Sequence, residues 1–175
     1  KSAERTGIIK GYDSDSVIEL IQQYCTGGTF ILGEDDGTVN IDSPIIFSEG
    51  EAINNIASTF KMYDGKIIGR RVIHGNGSSK YEVPEGYMRK DVLSSDGVYW
   101  VEYLVKKEGI TIVPETEAWT NKDLNVDIFY SNSNYKNQYK IGNGEWQTAT
   151  LTNNVIKVAT QENCTIYARS LDSNS

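Results

Sequence analysis

Two apolar rhythms divide the chain. In "DSDSVIELIQQYC" the residues Val17, Leu20, Ile21 and Tyr24 recur at the i, i+3, i+4, i+7 spacing of one helical face. Ser16 and Glu19 match a capping box, in which each side chain satisfies a free amide at a helix start, and Gly27-Gly28 supplies the stop. A second stripe, Ile53, Ile56, Ala57 and Phe60, follows a second box at Ser48 and Glu51 and ends at Asp64-Gly65. The spacing thus predicts two helices. Around them, "TFIL" and "TVNI" read as strands joined by an acidic turn at Gly37, "SPIIF" and "KIIGRRVIH" as further strands, and "GNGSS" as a flexible loop. "GVYWVEYLVKK" and "GITIV" read as a hairpin turning at Glu108-Gly109.

Beyond Pro114 the helical rhythm stops. "LNVDIFY", "NQYKIG", "EWQTAT", "NVIKVA" and "CTIYARS" are separated by Asn-, Ser- and Gly-rich turns at the roughly 8–12-residue spacing of a small sandwich. The expected fold class is therefore α+β over residues 1–113, an N-terminal helix packed on an antiparallel sheet, followed by an all-β sandwich over 114–175. Within the second part, "QYKIGNGEWQ" raises a choice between a ligand loop and a turn. A phosphate cradle leads directly into a helix N-terminus, and no helical pattern follows here. Asn143-Gly144 instead suits the positive φ angles of a type I′ hairpin.

Charge narrows the function. Among 175 residues, 17 basic side chains face 24 acidic ones, a net charge of −7. That balance argues against nucleic acid, which demands a cationic stripe, and against an anionic membrane surface. No apolar run approaches the roughly 18 residues that span a bilayer. The opening "KSAERTGIIK" carries no initiator Met, so targeting or anchoring segments are expected to precede it.

Few residues offer chemistry. Cys25 and Cys164 are compatible with a disulfide, which would close a long loop worth ~4 kcal/mol in the chain-entropy model, and equally with two free thiols. One histidine, His74, and no Cys-x-x-Cys pair exclude zinc sites of the usual spacing. His74 beside Cys25 would make a nucleophile and base, but Cys25 sits at a predicted helix end, where its pKa is not lowered. Glu34, Asp35 and Asp36, like Asp13 and Asp15, lack EF-hand spacing and read as solvated turns. No cofactor, metal or catalytic residue is expected. Tyr130 and Tyr135, placed in or beside polar loops, are the candidate surface-binding aromatics, while Trp100 is assigned to core or interdomain packing.

Two resemblances extend this reading. Trp119 to Asp123 ("WTNKD"), Tyr139 to Trp146 ("YKIGNGEW") and Thr165 to Arg169 with Asp172 ("TIYAR..D") resemble the Ig-like modules repeated on surface and secreted proteins of Gram-positive bacteria. The resemblance implies a spacer or binding unit without catalysis. "KSAERT" before an amphipathic helix, with "YEVPEGYMRKDV" as a proline-containing connection, resembles the soluble half of a type IV pilin or pseudopilin. That family's processing motif and apolar half-helix are absent from this sequence. The implied protein is a non-enzymatic, extracellular, structural or adhesive (minor) pilus subunit, membrane-anchored before assembly. Its partners would be other filament subunits, through an N-terminal helix ahead of Lys1, and a host or cell-surface protein or glycan. The alternatives are a phage-tail or cell-wall adhesin module and, from another class, a secreted carbohydrate-active enzyme fragment.

Overall fold

The computed structural model describes residues 5–9, 17–19, 23–26, 28–114, 124–160 and 164–172. It divides into two compact units, residues 1–104 and 105–175. The break falls ahead of Pro114 because Ile110–Pro114 pairs with the strand Leu124–Tyr130.

The first unit is mostly β and contains no helix among its described residues, which overturns the α+β expectation and the pilin-like helix with it. Its strands are β1 (Arg5–Ile9), β2 (Val17–Glu19), β3 (Gln23–Thr26), β4 (Gly28–Leu32), β5 (Ile45–Ile56), β6 (Thr59–Met62), β7 (Lys66–Gly75), β8 (Lys80–Glu82), β9 (Tyr87–Leu93) and β10 (Trp100–Lys106). One sheet runs β1-β4-β6-β8 and the other β2-β5-β7-β10-β9, with β3 also on β5. From β1 to β8 the chain passes between them, and the pairings between successive passes are parallel. Arg5 lies opposite Gly28, Thr29 opposite Thr59 and Thr59 opposite Lys80, advances of 23, 30 and 21 residues per coil. This is a parallel β-solenoid, in which a single coil cannot bury its apolar face and stacking buries it for all.

Like side chains stack in register. Phe30 lies over Phe60, ring centroids 5.3 Å apart, Leu32 pairs with Met62, and Ile46 pairs with Ile67. All six are buried, and with Ala52, Ile53 and Leu104 they form the core between the sheets. The predicted second helix is split between β5 and β6. Its apparent capping box is a bulge: register shifts between Ser48 and Glu51, the Ser48 hydroxyl donates to Glu51 O (3.2 Å), and Gly50 N donates back to Ser48 Oγ (3.2 Å). Residues 38–40 of "TVNI" form no strand. "GNGSS" is an ordered turn, where Asn76 Oδ1 accepts from Ala57 N (3.3 Å) and Ser78 N (3.1 Å). Nor does β10 form a hairpin with the following strand; it pairs antiparallel with β7 and neighbours β9.

The second unit contains β11 (Ile110–Pro114), β12 (Leu124–Tyr130), β13 (Lys136–Ile141), β14 (Gln147–Thr148), β15 (Val155–Thr160) and β16 (Ile166–Leu171). They form two antiparallel sheets, β11-β12-β15 and β14-β13-β16. Val126, Ile128, Tyr130 and Val158 of the first sheet pack with Tyr139, Ile141, Ile166 and Ala168 of the second. This is the two-sheet sandwich that the alternating pattern predicts.

Candidate functional site

Alternation along β13 and β16 sends Tyr139, Ile141, Ile166 and Ala168 inward and leaves Gln138, Lys140, Tyr167 and Arg169 on the opposite face. Register sets Gln138 beside Arg169 and Lys140 beside Tyr167. Trp146 joins them because the chain reverses at Ile141–Gly144, closed by Gly144 N donating to Ile141 O at 3.0 Å. Gly142 takes φ +54° at the first central position. The turn is therefore of the II′ kind, one residue earlier than the Asn143-Gly144 placement. β14 then pairs with β13, and Tyr139 Oη donates to Gln147 Oε1 at 2.9 Å.

The five side chains form a cation–aromatic cluster. Arg169 Cζ lies 4.0 Å from the Trp146 ring centroid, and Lys140 Nζ lies 4.8 Å from that of Tyr167 and 5.3 Å from that of Trp146. Arg169 is aimed by its Nε and Nη2, which both donate to Gln138 Oε1 at 3.0 and 2.8 Å, while Gln138 itself is buried. Neither Lys140 nor Arg169 has a carboxylate partner among the described residues. Tyr167 is 45% exposed. Trp146 is half-buried. An open ring beside uncompensated N–H donors supplies the groups of a binding surface.

The sequence-derived candidates fall elsewhere. Tyr130 is not a surface ring: it is fully buried, its Oη donates to Gln138 O at 2.8 Å, and burial pushes its phenol up to about 12. Tyr135 is exposed, as expected of a loop residue. Cys164 is a free, exposed thiol with Sγ 2.8 Å from Thr160 Oγ1; the Cys25 side chain lies outside the described residues. His74 is the penultimate residue of β7, with Nδ1 3.1 Å from Arg71 Nη1 and 3.5 Å from Glu51 Oε1.

Glu34, Asp35 and Asp36 are exposed, and hydrogen bonds from the Thr38 hydroxyl (2.7 Å) and amide (2.9 Å) hold Asp36 below the ordinary carboxylate range. Asp13 and Asp15 lie outside the described residues. Among the described residues no group of three His, Cys, Asp or Glu side chains is placed to hold a metal. Trp100, assigned to packing, is 40% exposed.

Sequence reading missed Trp146, Tyr167, Lys140 and Arg169 as a set. The signal was parity: each sits one residue out of step with a core position or just beyond the turn. No family model, curated protein or solved structure matches the chain.

Proposed function

We propose that the chain is a non-enzymatic, extracellular binding protein of structural or adhesive character, of the cell-wall or phage-tail adhesin kind. The coils serve as scaffold, and the C-terminal sandwich, an Ig-like module in this reading, carries the ligand face. A filament subunit of the pilin kind assembles through an N-terminal helix, so the adhesin reading suits an all-β chain better. The carrying observation is the Trp146–Tyr167 face, with a half-buried indole, an exposed phenol ring and two cations that no carboxylate neutralises among the described residues. Such rings engage sugars and protein surfaces, where an apolar body and a polar tip are both useful.

The test is binding of the whole chain to an array of cell-surface polysaccharides, in parallel with an assay for released reducing ends. Retention without turnover, lost in Trp146→Ala with unfolding temperature kept, is the expected result. Product release that disappears on replacing a pair of acidic residues would instead make the protein an enzyme, and retention unaffected by Trp146→Ala would move the site elsewhere.

A further inference from the structure

The charges on the binding face point to the class of ligand it takes. The whole chain carries −7, yet this face sets Lys140 and Arg169 over one ring, 5.3 and 4.0 Å from the Trp146 centroid. Two of Arg169's three nitrogens are committed to Gln138 Oε1, and its Nη1 has no protein partner among the described residues. Among the described residues Lys140 makes ring contacts alone. The outer ring of this ladder is accessible, since Tyr167 leaves 45% of its surface open.

We propose that the face binds an acidic polysaccharide. The carboxylate of a uronate-type residue meets the Lys140 ammonium and Arg169 Nη1, and a neighbouring sugar lays its C–H face on Tyr167. The inference rests on the reading of this face as a binding surface and adds its charge selectivity. Carboxylate fits better than a nucleic-acid backbone. Two cations on an anionic chain provide neither the cationic groove nor the run of stacking rings that a single strand follows.

The experiment is titration of the intact chain with polyglucuronate and with the same polymer after carboxyl reduction, at low and at physiological salt. Charge-assisted hydrogen bonds predict about tenfold or more tighter binding of the acidic form, weakening as salt rises. Lys140→Met, unbranched, close in size and neutral, should abolish most of the preference for the acidic over the reduced polymer. Equal binding of the two polymers overturns the acidic-ligand inference and leaves the sugar-binding face standing. Binding of neither overturns both. Tighter binding of an oligothymidylate than of polyglucuronate overturns the inference in favour of nucleic acid.

Discussion

Arg89 grips Glu102 through two hydrogen bonds, Nε to Oε1 at 2.7 Å and Nη2 to Oε2 at 3.0 Å. Its guanidinium also lies 4.4 Å from the Tyr81 ring centroid. One side chain thus ties β8, the last strand of the first sheet, to β9 and β10. Burial raises the Glu102 carboxyl above its ordinary value, and Arg89 opposes the rise. A carboxyl raised in the folded state holds its proton longer than in the unfolded chain, so its contribution is full at acid pH and lost as pH climbs through the folded pKa. Arg89→Met leaves Glu102 buried and unpaired, at a cost of about 2–3 kcal/mol. The loss should be larger at pH 7 than at pH 4 in urea titrations, and Arg89→Met with Glu102→Leu should recover most of it. A penalty independent of pH would refute this account.

The Phe30–Phe60 stack carries the solenoid interior, and both rings are almost wholly buried. Phe60→Ala removes the partner of a ring in the next coil and opens a cavity that a stacked sheet closes poorly. The expected loss is about 3–5 kcal/mol in denaturant midpoint experiments. Tyr167→Ala, on an open face, should stay within about 0.5 kcal/mol.

That stack also explains why the solenoid was illegible in the sequence while the sandwich was not. Ile53, Ile56, Ala57 and Phe60 fit a helical stripe, but Ala57 has φ +53°, a left-handed corner. Ile53 lies in the last stretch of β5 before the turn, in one sheet, Phe60 is the second residue of β6 in the other, and both enter the same core across the corner between them. Inward positions across a corner therefore mimic a three-four spacing. Coils of 23, 30 and 21 residues give no fixed period to betray the repeat. In the sandwich, unbroken alternation such as Val126, Ile128, Tyr130 states which face is inside, and nothing interrupts it. Tyr130 misled because it ends a strand beside a polar loop, and sequence position there does not distinguish the last inward residue from the first exposed one.

Two glycines of similar backbone conformation should respond differently to a methyl group. Gly65 has φ +83°, and a Cβ there would lie 2.0 Å from Pro44 O, which itself accepts from Lys66 N at 3.0 Å. Gly37 has φ +86° with nothing within 4 Å. Gly37→Ala bears the left-handed strain alone, about 1 kcal/mol. Gly65→Ala adds a backbone clash at the corner leading into β7, so its unfolding free energy should fall by about 3 kcal/mol or more. Equal losses at the two sites would show that the corner yields freely.

Tyr130 joins the two sheets of the sandwich, since its ring packs in the core from β12 and its hydroxyl donates to a carbonyl of β13. Burial, with a smaller contribution from Tyr139, pushes its pKa from 10.0 to about 12. The neutral phenol is therefore favoured by folding, and its stabilisation is complete below pH 10, where neither state ionises. Between about pH 10 and 12 the unfolded chain loses this proton while the folded chain keeps it, so stability falls as pH rises. Absorbance at 295 nm should show one phenol titrating after the exposed tyrosines, and Tyr130→Phe should remove that late step. The variant also loses the hydrogen bond to Gln138 O, about 1 kcal/mol at neutral pH. Relative to wild type it should recover ground as the solution turns alkaline. Unchanged alkaline sensitivity in Tyr130→Phe would place the titrating group elsewhere.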